Sequence, residues 1–247
     1  RREQILAIYN GFSEANPRAA FESALAMSVE GRSDQRIQNR ALEEIIESQI
    51  ENGGLTAAKL QVEELEDGPI KERLLREMVD EWASFDPKGA AAYVETLGDN
   101  ASSRIRTALL SEWAENDPHA AAAWLSEQAF DEATVGRASS AIIREWTRYD
   151  MAASAEWLNS LPNSPELDRA VMSYTYRAAQ EDPANAMSWA ESINNDGMRT
   201  RMMERVAGSW KEDDPESFQN YLDSAEFTEE QRKRLQNASA RGGRRRH

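Results

Sequence analysis

An internal repeat governs what this chain can fold into. Five segments align: EWASFDPKGAAAYV, EWAENDPHAAAAWL, EWTRYDMAASAEWL, RAAQEDPANAMSWA and GSWKEDDPESFQNYL. Their anchor acids, Asp86, Asp117, Asp150, Asp182 and Asp214, are spaced 31, 33, 32 and 32 residues apart. Two degenerate copies precede them, anchored at Asn16 and Asn52 with gaps of 36 and 34 residues, and the copy around Asn52 lacks both proline and aromatic. A fixed period of this length is the mark of stacked supersecondary units, each too small to bury its own apolar face.

Each unit reads as two helices. Asp followed by Pro opens a helix: the carboxylate accepts from N–H groups that lack an intrahelical partner, and Pro at the first helical position has no donor to orphan. Asn16-Pro17 repeats the device, and Asp150 keeps the cap while Met151 replaces Pro. An aromatic stands four residues before the anchor (Phe12, Trp82, Trp113, Trp146 and Trp210, with Ala178 the exception), and another stands seven after it (Tyr93, Trp124, Trp157, Trp189 and Tyr221). Small residues lie between, among them Ala19, Ala20, Ala90, Ala91, Ala121 and Ala186. They let helix axes approach so that the two rings close over the corner. This shared register reads as packing between helices rather than as a ligand groove.

The longer helix before each anchor carries an apolar stripe: Leu74, Met78, Val79 and Trp82; then Ile105, Leu109, Leu110 and Trp113; then Ala138, Ile142, Ile143 and Trp146. Spacings of three and four put each set on one face. Turns such as Gly68-Pro69, Gly98-Asp99-Asn100 and Leu161-Pro162-Asn163-Ser164-Pro165 stop the helices, and Thr228 to Gln231 forms a capping box opening a last helix to about Ala240. No alternating apolar run of strand length appears. The expected fold is all-α: a right-handed-type α-solenoid of about seven antiparallel helix hairpins, roughly fifteen helices, with a period of 31–36 residues. No linker-like stretch divides the chain, so residues 1–240 read as one helical repeat domain and residues 241–247 as a basic disordered tail.

The run Asp117-Pro118-His119-Ala120-Ala121-Ala122-Ala123-Trp124-Leu125 resembles the junction between tetratricopeptide repeats, where a Pro ends one unit and a Trp follows on the next helix. Asp182-Pro183 to Trp189 repeats the pattern, and the near-34-residue period agrees. Gln128 and Asp131 stand where that family carries glycine and tyrosine. The resemblance implies a protein-binding scaffold, by analogy of fold.

Charge narrows the partners. The 247 residues include 29 Lys or Arg and 44 Asp or Glu, a formal charge of −15, and setting aside the four Arg of the tail leaves −19 on residues 1–240. That field repels phosphate and argues against nucleic acid as a partner of the body. The absence of Cys excludes disulfides, thiolate nucleophiles and Cys-based metal sites. No stretch of about 18 apolar residues exists to insert into a membrane. The chain opens on Arg1 rather than Met, which implies a segment upstream; a Cys-free chain suits either side of a membrane, so the compartment stays open.

An Arg recurs thirteen residues before the anchor, at Arg73, Arg104, Arg137, Arg169 and Arg201, one residue ahead of the apolar stripe. Five in register form either a set of ties to neighbouring units, through helix carbonyl ends or acids such as Glu95 and Glu127, or a row of cations for a partner. Glu81, Glu112 and Glu145 precede the repeat Trp and read as a solvated face rather than an acid–base pair, falling one per unit. His119 and His247 have no second ligand at helical spacing, so no metal site is expected. No Gly-x-Ser-x-Gly, phosphate-cradling Gly loop or His-Glu pair on a helix is present. The tail Arg241 to Arg246 reads as a solubilising end, an address, or a contact to an anionic surface or the acidic body of a neighbouring molecule.

The sequence therefore reads as a non-catalytic helical-repeat scaffold without a cofactor, binding a protein or peptide partner, a basic one where acidic patches select it. A structural spacer or self-associating assembly module is the alternative, and a helical-toroid enzyme a further one.

Overall fold

The structure, a computed structural model, describes residues 2–239, so the tail expected over 241–247 lies outside the described residues. Fifteen α-helices and no strand occur among them. They are α1 (Arg2–Ala15), α2 (Pro17–Leu25), α3 (Arg32–Glu51), α4 (Leu55–Glu63), α5 (Pro69–Phe85), α6 (Pro87–Leu97), α7 (Ser103–Asn116), α8 (Pro118–Glu127), α9 (Glu132–Trp146), α10 (Met151–Ser160), α11 (Asp168–Ala178), α12 (Pro183–Glu191), α13 (Asp196–Asp213), α14 (Pro215–Ser224) and α15 (Glu229–Asn237). No described helix is long and apolar enough to cross a membrane.

The anchors make the corners. The backbone N–H of Asn16, Asp86, Asp150, Asp182 and Asp214 bonds to the carbonyl four residues back, closing the long helix or the turn after it. The side chain of the same residue then caps the short helix: Asn16 accepts from Ala19, Asp86 from Gly89, Asp150 from Ala153, Asp182 from Asn185 and Asp214 from Ser217, at 2.9–3.1 Å. Asp117 caps α8 through Ala120 in the same way. Each cap is worth about 1 kcal/mol. Asn52 departs from the pattern: it ends α3, and α4 begins three residues later, after Gly53 turns the chain with φ +80°. The Thr228 capping box forms as its sequence predicts, and α15 ends at Asn237, short of Ala240.

The helices sort into two compact units, Arg1–Asn116 and Asp117–His247. In the first, long helices α1, α3, α5 and α7 pack side by side, with α2, α4 and α6 each laid against the two long helices that flank it in sequence. The second repeats this with α9, α11 and α13 side by side, α15 joining α13, and α10 and α12 between their flanking long helices. The stripes read from the sequence form the cores. Leu74, Met78, Val79, Ile105, Leu109 and Leu110 are fully buried in the first unit, as are Ala138, Ile142 and Ile143 in the second.

The two aromatics of a repeat do meet. Ring centroids lie 5.6 Å apart for Trp82–Tyr93, 5.9 Å for Trp146–Trp157 and 5.0 Å for Trp210–Tyr221. The ring after the anchor also reaches back one period to the preceding short helix. Tyr93 donates to Glu63 at 3.1 Å, Trp157 Nε1 to Ser126 at 3.2 Å, and Tyr221 hydrogen-bonds Glu191. Burial and the Glu191 carboxylate push the Tyr221 hydroxyl up to about 12. Tyr93, Trp157 and Tyr221 thus each pack within their own hairpin and tie it to the one before. In α9, Gly136 lets a backbone approach that no side chain would permit: an added Cβ would stand 2.4 Å from the Glu166 carbonyl oxygen.

Candidate functional site

The five arginines of the repeat row lie near the starts of α5, α7, α9, α11 and α13. Arg73 and Arg104 belong to the first unit, and Arg137, Arg169 and Arg201 to the second. Arg73 pairs with Glu43 of α3 at 3.2 Å and so joins two long helices. Arg104, Arg169 and Arg201 are exposed and make no ion pair among the described residues. Other cations bond to the ends of preceding short helices. Arg106 donates to the Gly98 carbonyl at 2.9 Å, Arg199 to that of Ile193 at 2.8 Å, and Arg232 to those of Leu222 and Ala225.

The outward side of α3, α5 and α7 is acidic. Glu43, Glu47 and Glu51 follow at four-residue steps on α3; Glu77, Asp80 and Glu81 lie on α5, and Glu112 and Glu115 on α7. Residues four apart share a helix face, and the three helices pack as neighbours, so the acids repel one another across the layer. Glu77, Asp80, Glu81 and Glu112 are all part-buried and all held above the ordinary carboxylate range. Desolvation is the first cause in each case. Like charge follows: Glu43 acts on Glu77, Glu112 on Asp80, Glu47 on Glu81 and Glu115 on Glu112. Asp80 is raised furthest, to about 6, although Arg76 opposes the rise. Arg73 offsets Glu43, while Arg40 is engaged by Glu44 at 2.9 Å. Among the described residues no group of three or more Asp, Glu or His is arranged to hold a metal ion. The acids are thus spread along the face rather than gathered at a point.

Glu145 corrects the expectation of a solvated row. Its side chain is only 7% exposed, held by Arg144 at 3.0 Å and Arg148 at 2.6 Å, which fold over it from the same helix and the following turn. Glu81 and Glu112 stay on the surface but are part-buried, and belong to the acidic face.

The pH consequence follows from the sign of the Asp80 shift. A carboxyl whose folded-state pKa is raised contributes stability fully below its unfolded value of 3.8, and that contribution is lost as pH rises through about 6. Asp80→Asn removes the penalty of charging this group. At pH 7.5 the variant is expected to melt about 2–4 °C higher, reflecting roughly 1 kcal/mol after solvent screening. The gain should fade to nothing by pH 4. Calorimetry across that range checks it; an equal gain at pH 4 would mean that packing, not charge, produced it.

In the second unit the cations gather on the layer of long helices and α15, where eleven Lys or Arg stand among nine Asp or Glu. Among residues 117–239 no Lys or Arg lies on α8, α10, α12 or α14; apart from Arg148, all are on α9, α11, α13 and α15. Across this face Ser140 of α9 meets Ser173 of α11 at 3.4 Å, and the Arg205 guanidinium of α13 lies 5.6 Å from the Tyr176 ring of α11. Against this geometry, neither family models, curated proteins nor solved structures yield a match to the chain.

Proposed function

We propose that this chain is a non-catalytic, tetratricopeptide-like scaffold whose hairpins stack as an α-solenoid, and that the acidic face of α3, α5 and α7 holds a basic segment of a partner protein. One observation carries the reading: carboxylates from three adjacent helices share one face, where burial first and like charge second hold four of them above the ordinary carboxylate range. Folding gains nothing from that arrangement, whereas a bound Lys or Arg relieves it. The fixed aromatic corners and buried stripes support the scaffold by keeping the helices that carry the acids in register.

Cation binding must then lower the Asp80 pKa and expel its proton. Titration of the full chain with a decalysine peptide in low salt, by calorimetry in buffers of different ionisation enthalpy, is expected to show proton release near pH 6 and tighter binding at pH 7.5 than at pH 5. The triple variant Glu47→Gln, Asp80→Asn, Glu81→Gln should bind at least tenfold more weakly. A control that removes three acids from the other unit, Glu156→Gln, Glu216→Gln, Glu226→Gln, should lose far less. Equal losses in the two variants would reduce the effect to net charge and end the proposal.

A further inference from the structure

A cleft of about 800 Å³ opens in the second unit, between α11, α13 and α15. Its apolar wall is Met172 and Met202, and its charged wall is Arg201, Arg205, Lys233 and Arg234. Two acids also line it, Glu204 and Glu230, and Glu230 is already engaged by Arg234 at 2.6 Å. Arg201 and Lys233 make no ion pair among the described residues, and Arg205 rests over the exposed ring of Tyr176. In a chain of net charge −15, this is a local reversal of sign beside the exposed ring of Tyr176. The four Arg of residues 241–246 follow in sequence within seven residues of Ser239, which lines the same cleft.

We infer that this cleft is a second binding site, independent of the acidic face, and that it takes an acidic peptide segment of a partner protein: carboxylates flanking one apolar side chain. The apolar side chain seats against Met172 and Met202, since flexible thioethers fit varied shapes. The flanking carboxylates meet the guanidiniums of Arg201 and Arg205, whose planar forks match a carboxylate, and the ammonium of Lys233. Electrostatic range selects a peptide over a nucleic acid. At physiological salt, charges beyond about 8 Å are largely screened, so a short segment responds to the local cations. A long polyanion must also lie along the surrounding acidic surface, which repels it.

The test is selection of a random dodecapeptide display library on the full chain, with parallel selection on the variant Arg201→Glu, Arg205→Glu, Lys233→Glu. Peptides enriched on the full chain but not on the variant are expected to carry two or more Asp or Glu around a Leu, Met or aromatic residue. They should bind the charge-reversed variant at least tenfold more weakly and weaken several-fold between 50 and 300 mM salt. Their affinity should be unchanged by Asp80→Asn, which separates this site from the acidic face. If charge reversal perturbs folding, Arg205→Gln with Lys233→Gln serves in its place. Peptides without acid enrichment, no enrichment over background, or full retention by the variants would overturn the assignment. So would a twenty-nucleotide single-stranded DNA that binds more tightly than the selected peptides and loses binding in the same variants.

Discussion

Asp168→Ala is expected to remove roughly 3 kcal/mol from the stability of the second unit, about 10 °C in melting temperature. Asp168 opens α11 and is only 3% exposed. One carboxylate oxygen accepts from the Asn194 backbone N–H at 2.7 Å and from its side-chain amide at 3.1 Å; the other accepts from the Asn195 N–H at 2.8 Å. Asn195 in turn caps α13 through the Met198 N–H at 3.0 Å, and the Asn194 amide reaches Asn163 at 2.8 Å. A single side chain therefore fixes the start of α11, the turn after α12 and the entry to α13. Hydrogen bonds to an ionised acceptor contribute about 1.5–3 kcal/mol each, and removing the acceptor strands donors in a part-buried turn. The start of α11 also favours negative charge. Asp168→Asn is nearly isosteric, yet it must turn an NH₂ group toward an N–H donor, so a loss of about 2 kcal/mol is expected. Urea unfolding and amide exchange at residues 194–199 read both variants. A change below 1 kcal/mol for Ala would show that the turn holds without the carboxylate.

Nothing in the sequence singles out Asp168, and the reason is distance. Its partners lie 26 and 27 residues away, in a turn whose composition signals only a break between helices. The corners were legible because they are local: a capping side chain, a Pro at the first helical position and a stripe at helical spacing act within one turn of the chain. Glu145 misled for a related reason. Its position before Trp146 marks a surface row in Glu81 and Glu112, but only here do Arg144 and Arg148 stand close enough along the helix to cover it. The acidic face was half visible, as four-residue steps of acid at Glu43, Glu47 and Glu51 and again at Glu77 and Glu81. Their convergence with Glu112 depends on which helices become neighbours, and the repeat does not state that. The tie from Trp157 and Tyr221 to the previous hairpin was present in the register. Ser126 and Glu191 both stand nine residues after their anchors, facing the ring seven residues after the next.

The one aromatic vacancy among the five aligned segments supplies the sharper test of how these corners are built. Ala178 stands where other copies carry an aromatic, yet the corner is not empty: Tyr174, one helical turn earlier, places its ring 4.6 Å from Trp189. That is closer than the 5.0–5.9 Å of the Trp210–Tyr221 and Trp146–Trp157 pairs. Tyr174 is 3% exposed and Ala178 is 1% exposed, so the ring has moved along the helix and the small residue has made room for it. Ala178→Trp restores the repeat pattern and would be chosen by any alignment of the units. It is expected to destabilise by about 2–3 kcal/mol, because two large rings then compete for one packed site. Tyr174→Ala alone should cost about 3–5 kcal/mol through the cavity it leaves, the same range expected for Trp210→Ala, whose ring packs on Phe218 and Tyr221. Combined, Tyr174→Ala and Ala178→Trp should recover much of what each loses, a coupling of more than 2 kcal/mol in a double-mutant cycle read by chemical unfolding. Additive losses would mean that Tyr174 and the corner aromatics fill different spaces. The aromatic of each hairpin would then be a local packing choice rather than one interchangeable wedge.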